Sequence, residues 1–402
     1  MSHNYKIIDK PNLNMVKGFH TNGVEAHIKV TGRRDVGMIL CDKVCDTFAT
    51  YTTNQVKSAH ITVCKEHLQD NKAQAIIVNS GYANACTGQN GINDAREITK
   101  KVGAAFNIPS ENVLVGSTGE IGKRINLERY DVAVDLLKKC IYDENDNNFT
   151  KAIMTTDTKQ KFAGIDAGSY KIIGTAKGSG MIHPNMATML AYIVTDAKIE
   201  PTLLNKAFRE NIEKSFNSVT VDGDTSTNDT AIIMASGMAE NDIIKEETSS
   251  EYETLKAALK EVMTGLAKQI AADGEGATKF ITIDVINAAS EAEAKTIGMS
   301  IAHSPLTKTA MFGEDANWGR IMCAAGYSGI EFDFTKATLK FSDLKVFEHG
   351  EPTGFSEEEA KKILQQDAIH ITLDMARGDK NWTVWTCDFS FDYVKINADY
   401  RT

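Results

Sequence analysis

Three glycine-spaced stretches hold the residues best suited to chemistry. The first, Lys177-Gly-Ser-Gly-Met-Ile-His-Pro-Asn-Met-Ala-Thr188, runs straight into the apolar residues Met189 to Val194. Its glycines tolerate positive φ and its proline fixes φ, so this half stays out of helix and Thr188 falls at a loop-to-strand junction. A threonine there is ordinarily a strand former. To act as a nucleophile its hydroxyl needs an adjacent base. The second stretch, Asn112-Val-Leu-Val-Gly-Ser-Thr-Gly-Glu-Ile-Gly122, is an apolar strand that opens into a polar loop. Backbone N–H groups in such a loop, backed by a threonine hydroxyl, converge on a developing oxyanion, and one donor of this kind is worth ~3 to 4 kcal/mol of barrier. A purely structural turn is the alternative reading. A P-loop is excluded, because no Gly-Lys-Ser/Thr follows. In the third, Asp273-Gly-Glu-Gly-Ala-Thr-Lys279, Glu275 stands between two glycines, either as a helix-ending turn or as an acid offered to a ligand. Lys177, a cation beside a glycine loop, suits the α-carboxylate of an amino acid. His183 is read as closing its loop rather than as a base.

The first stretch resembles the self-cleavage and nucleophile segment of the glutamate N-acetyltransferase/ornithine acetyltransferase family of arginine biosynthesis. Similar segments extend along nearly the whole chain: Ala73 to Gly88, Thr155-Thr-Asp-Thr158, Ser218 to Ala231, Phe312-Gly-Glu-Asp-Ala-Asn-Trp-Gly-Arg320 and the ending Tyr393 to Thr402. The resemblance implies a cut between Ala187 and Thr188 into residues 1–187 and 188–402. It makes the freed N-terminal Thr188 the nucleophile and Thr118 and Gly119 the oxyanion stabilisers. Thr155, Lys177, Thr188, Glu275, Asn397 and Thr402 become substrate-binding positions. The implied reaction is ping-pong acetyl transfer from N-acetylornithine to glutamate, without metal or organic cofactor, with acetyl-CoA a second donor class among members, in a heterotetramer of two of each cleaved chain. Two positions depart from the pattern. Glu120 stands where members commonly carry an apolar residue, and Ala316 where some carry proline.

The chemistry is coherent on its own terms. The α-amine of an N-terminal threonine has a reference pKa of about 7.7 to 8.0, close to the operating pH, and sits at fixed distance from the hydroxyl. A self-processed N-terminal-nucleophile aminopeptidase or amidohydrolase, in which water resolves the acyl-enzyme, is the nearest rival. An uncut binding protein is a third class.

The elements that must position these residues follow from periodicity. Apolar positions at helical spacing predict helices over 91–106, 130–141, 204–216 and 255–270, and β-type runs predict strands at 26–30, 35–41, 73–79, 112–115, 189–194, 280–285, 337–341 and 368–373. Together they give an α/β protein. A layered sheet-and-helix sandwich of αββα type occupies residues 1–285, and a smaller C-terminal α/β domain occupies residues 286–402. A hydrophobic content of 42% over 402 residues supports a sizeable core, and a net charge of -10 argues against nucleic acid as a partner. No apolar run approaches the ~20 residues that span a bilayer. The N-terminus lacks a secretion signal, and seven scattered cysteines point to free thiols in a reducing compartment, so a cytoplasmic location is expected. Cys41 and Cys45 lack a second ligand pair, and Asp222 to Asp229 lacks the glutamate of a calcium loop, so no metal site is expected. Thr188→Ala is expected to leave a single uncut chain, since a methyl group can attack no carbonyl; intact-mass measurement showing two chains would contradict it.

Overall fold

The computed structural model describes residues 5–29, 31–183 and 189–399. Its strands, among those residues, form two sheets. The first is nine-stranded and contains β1 (Lys6–Ile7), β2 (Phe19–Val24), β3 (Val36–Tyr51), β4 (Lys72–Asn79), β5 (Val113–Ser117), β6 (Lys161–Asp166), β7 (Lys171–Lys177), β8 (Leu190–Thr195) and β9 (Thr230–Ala235). Its order is β1-β6-β7-β8-β9-β3-β4-β5, with β2 alongside β3. Pairing is antiparallel except for β4 with β5 and β8 with β9.

The long strand β3 turns this sheet into two layers. Its first half pairs with β2 and β4 and its second half with β9, and the ladder to β4 shifts register between Leu40 and Cys45. Ile76, Val78 and Leu114 of one half then face Leu190, Tyr192, Ile232 and Met234 of the other across a shared core. Helices cover both outer faces. Gly88–Phe106 and Leu127–Cys140 lie on the β2-β3-β4-β5 side, and Pro201–Glu213 and Ser250–Ala272 lie on the β6-β7-β8-β9 side. This is the αββα arrangement the sequence leads one to expect.

Local chemistry explains the helix ends. Asn107 adopts the left-handed conformation (φ 56°) and its amide bonds the Gly103 carbonyl, which stops the helix where the sequence predicts. Ser249 accepts from the Tyr252 amide, and Glu251 and Glu253 sit in the first turn, where carboxylates favour the positive end of the helix dipole. The strand expected at 26–30 is absent among its described residues, 26–29. Ala26 and Ile28 donate their amides to the buried Asp35 carboxylate at 2.7 and 2.5 Å and His27 takes φ 60°, so a local acceptor replaces the ladder there.

The second sheet holds β10 (Phe280–Ala288), β11 (Thr338–Phe341), β12 (Leu344–Glu348), β13 (Glu351–Pro352), β14 (Ala368–Asp374) and β15 (Lys380–Cys387), in the order β13-β12-β11-β14-β10-β15. It has its own core with helices Glu291–His303, Pro305–Phe312, Trp318–Gly326 and Glu357–Leu364. Residue 286 falls inside β10. Trp385 and Cys387 of β15 join the core beneath helix Ser250–Ala272, which fastens the two sheets together. The chain's last described residues form a helix, Phe391–Asp399, rather than a frayed tail.

The closeness of the two layers yields a stability prediction. A Cβ on Gly116 of β5 would lie 2.5 Å from the Tyr192 hydroxyl of β8, and that hydroxyl is buried without a hydrogen-bond partner among the described residues. Gly116→Ala is expected to cost about 1–3 kcal/mol, in thermal or denaturant unfolding, through overpacking. Adding Tyr192→Phe should return part of that loss; equal unfolding of the single and double variants would contradict the contact.

Candidate functional site

Two backbone loops at the ends of β4 and β5 form one wall of a cleft. They are locked edge to edge: Glu120 donates its amide to the Gly81 carbonyl at 3.0 Å, Ala83 to the Glu120 carbonyl at 2.9 Å, and Thr118 to the Asn79 carbonyl at 3.0 Å. Gly119 is at φ 123°, and a Cβ there would meet the Gly81 backbone at 2.4 Å, so no other residue fits. Asn228 staples both loops from behind, donating through Nδ2 to the Ala83 and Ser117 carbonyls, each at 2.6 Å. The Glu120 carboxylate is engaged by Lys29 at 3.1 Å.

The cleft they border is open to solvent and is lined by Thr118, Gly119, Thr155, Lys177, Glu275 and Asn397, together with Ile121, Met181 and Ser226 to Asn228. Lys177, at the end of β7, donates from Nζ to the Thr118 hydroxyl at 3.0 Å and to the Thr155 hydroxyl at 3.1 Å. With its oxygen occupied as an acceptor, the Thr118 hydroxyl has its proton available to the cleft. Among the described residues nothing accepts from the Gly119 amide. Across the cleft Asn397, on the C-terminal helix, donates to the Glu275 carboxylate at 2.9 Å. Gly180 passes so close that a Cβ on it would lie 2.3 Å from that carboxyl group. Ala187, Thr188 and Thr402 lie outside the described residues.

Beneath Lys177 is a buried ion cluster. Lys161 Nζ meets Asp157 at 2.7 Å and Asp273 at 2.5 Å, with the three side chains 1%, 0% and 5% exposed. Burial pushes the Asp157 carboxyl up, but the charges of Lys161 and Lys177 outweigh it and hold it at about 2. Desolvation lowers the Lys177 ammonium pKa, with Asp157, Asp229 and Glu275 opposing that shift.

A family model described as the ArgJ family matches residues 20–402. The chain belongs to the ArgJ family. Curated ArgJ relatives named as arginine biosynthesis bifunctional proteins agree with it end to end. The one from Caldanaerobacter subterraneus subsp. tengcongensis is 45% identical over 97% of this chain and 98% of its own length. That from Geobacter sulfurreducens is 46% identical over 96% of this chain and 100% of its own. A solved Bacillus halodurans structure titled arginine biosynthesis bifunctional protein argJ aligns with a TM-score of 0.52 at 44% identity, covering 53% of this chain and all of that one.

Six of the sequence-derived site residues of this ArgJ-family chain therefore line one cleft, and the motif residues 226–228 join them. Sequence reading missed the support. Asp157 is visible only as the third member of Thr-Thr-Asp-Thr, and nothing local marks Lys161 or Asp273 as its partners. Buried His60 went unnoticed too. It bridges Ser58 Oγ at 2.8 Å and Thr230 Oγ1 at 3.1 Å, and burial drives its imidazole down to about 3, so it links them as a neutral ring.

Because the folded Asp157 pKa lies below the unfolded value, its stabilisation is present above pH ~4 and is lost as pH falls toward 2. Asp157→Asn is expected to lower stability at pH 7 by ~3–5 kcal/mol, the scale for breaking a buried pair, and to shrink the loss of stability between pH 4 and 2. Unfolding curves of both proteins across that window check it.

Proposed function

We propose that this chain transfers acetyl groups by a ping-pong mechanism in arginine biosynthesis, taking acetyl from N-acetylornithine and delivering it to glutamate. The observation that carries the reading is the pairing within one cleft of a lysine-anchored Thr118 hydroxyl beside Gly119 with an opposed ammonium and carboxylate, Lys177 and Glu275. N-acetylornithine carries the complementary charges, an α-carboxylate and a side-chain ammonium. Membership of the ArgJ family points to the same activity.

In this reading the chain first cuts itself. The Thr188 hydroxyl attacks the Ala187 carbonyl carbon, the Ala187–Thr188 amide bond breaks as an ester forms, and water hydrolyses the ester to an Ala187 carboxylate and a free Thr188 with its α-amine. The Thr188 hydroxyl, assisted by the α-amine, then attacks the acetyl carbonyl of N-acetylornithine. Thr118 and the Gly119 amide stabilise the oxyanion, and ornithine leaves as its amine takes the proton. Glutamate's amine attacks the resulting acetyl-threonine ester, giving N-acetylglutamate and regenerating the hydroxyl. Lys177 and Thr155 hold the substrate α-carboxylate, Glu275 and Asn397 its cationic part, and Thr402 closes the site. We place the mature enzyme in the cytoplasm as two copies of each cleaved chain.

The test is a transfer assay with N-acetylornithine plus glutamate, run against a water-only control and an acetyl-CoA arm. Ornithine released at the same rate without glutamate would make the protein a hydrolase. Thr118→Ala is expected to lower kcat by about 10²–10³ with KM nearly unchanged, because an oxyanion donor acts on the transition state while Thr155 still holds Lys177. A loss confined to KM would make Thr118 a binding residue instead.

A further inference from the structure

The loop that carries Thr118 and Gly119 is bracketed by hydrogen bonds on either side of the Gly119 amide. Upstream, the peptide between Ser117 and Thr118 is pinned at both ends, its carbonyl taking the Asn228 side-chain amide at 2.6 Å and its N–H donating to the Asn79 carbonyl at 3.0 Å. Downstream, Glu120 is held through its amide by the Gly81 carbonyl and through its carbonyl by the Ala83 amide. The hold on Ser117 differs from the others in coming from a side chain, and the same Nδ2 of Asn228 also donates to the Ala83 carbonyl at 2.6 Å. Both groups it faces are acceptors, which fixes the amide end of Asn228 in this orientation.

Asn228 borders the cleft, yet its polar atoms are turned to the protein. Its Nδ2 is engaged by the two carbonyls, and its side-chain oxygen takes the Thr227 hydroxyl at 2.5 Å. A closed circuit of buried groups then fixes the residue from behind. Its backbone carbonyl takes the Thr230 hydroxyl at 2.9 Å, Thr230 Oγ1 meets His60 Nε2 at 3.1 Å, His60 Nδ1 meets Ser58 Oγ at 2.8 Å, and the Ser58 hydroxyl donates to the same Ala83 carbonyl at 2.8 Å. Ser58, His60 and Thr230 are all fully buried. With its imidazole neutral at neutral pH, the circuit adds no charge behind the loop.

We propose that Asn228 is a positioning residue for acetyl transfer: through the Ser117 and Ala83 carbonyls it sets where the Thr118 hydroxyl and the Gly119 amide stand relative to a developing oxyanion. The inference rests on the transfer reading above. Oxyanion donors act over a narrow range, ~2.7–3.1 Å from the charged oxygen, and a misplacement of ~1 Å can cost about 10²-fold in rate. Aspartate in place of Asn228 keeps the shape but turns acceptor oxygens toward two carbonyl oxygens, so the loop is pushed away from its place.

The experiment measures kcat and KM for acetyl transfer from N-acetylornithine to glutamate in wild type, Asn228→Asp, Thr118→Ala and the double variant, with rates expressed per cut chain. Asn228→Asp is expected to lower kcat about 10- to 10²-fold with KM nearly unchanged, because the loop acts on the transition state. The double variant should lose far less than the product of the two single losses, since both changes act on the same oxyanion. A loss confined to KM would make Asn228 a substrate contact, and losses that multiply in full would make it an independent structural support; either result, or a wild-type kcat, overturns the proposal. Should Asn228→Asp fail to fold or to cut, Asn228→Ala, which removes both donors without adding a charge, decides by the same criteria. A wild type that transfers no acetyl group would overturn the transfer reading and this inference together, whereas an active wild type with unaffected Asn228 variants overturns this inference alone.

Discussion

Lys161, Asp157 and Asp273 are removed from water together, and removing charge from water is so costly that such a cluster persists only where every remaining lone pair and proton finds a partner. Those partners are what assemble the cleft. Asp157 accepts the Thr155 amide at 3.0 Å and the Gly178 amide at 2.6 Å. Asp273 accepts the Thr158 and Lys159 amides, and its own carbonyl takes the Ser179 hydroxyl at 2.6 Å. The Ser179 carbonyl in turn receives the Glu275 amide at 2.9 Å. Three segments distant in sequence, 155–161, 177–180 and 273–275, are thereby held in one arrangement. A hydrophobic replacement could match the stability but would leave those backbone amides without acceptors.

The second sheet extends the same constraint. Asp388, just past β15, accepts the Thr278 and Lys279 amides at 2.8 and 2.9 Å, and Ser390 donates to the Gly276 carbonyl at 2.5 Å. The loop carrying Glu275 is thus fixed from the ion cluster on one side and from the C-terminal unit on the other. The helix Phe391–Asp399 then starts beside it and brings Asn397 onto the Glu275 carboxylate. A short terminal helix with no buried residues has little stability of its own. Its place depends on these anchors.

Features governed by local sequence were legible. The apolar face of Gly88–Phe106, its end at Asn107, the core of the 23-residue helix Ser250–Ala272 and the α/β class all follow from periodicity and turn chemistry. Thr118, Lys177, Thr155, Glu275 and Asn397 were legible through resemblance, since no spacing rule singles them out. What stayed hidden depends on partners far away in the chain. Lys161 and Asp273 are 112 residues apart, Asn228 reaches back 145 residues to Ala83, and His60 reaches Thr230 across 170. Residues 26–28 misled for the same reason. Their strand-like composition is outweighed by a single buried carboxylate, Asp35, which offers their amides better acceptors than an edge ladder would.

The electrostatics of the cleft bear on why an amine rather than water should resolve an acyl-enzyme here. In the proposed reading an amino-acid acceptor brings a carboxylate to Lys177, whose Nζ already donates to the hydroxyls of Thr118 and Thr155. Its binding energy is then spent on aligning the attacking nitrogen, an advantage of proximity that an unanchored water molecule cannot claim. Burial lowers the Lys177 pKa, so Asp157 beneath it matters doubly. Its charge opposes that lowering, and its carboxylate accepts the Gly178 amide at 2.6 Å. One buried aspartate thereby ties the charge of the Lys177 side chain to the placing of the backbone that follows it.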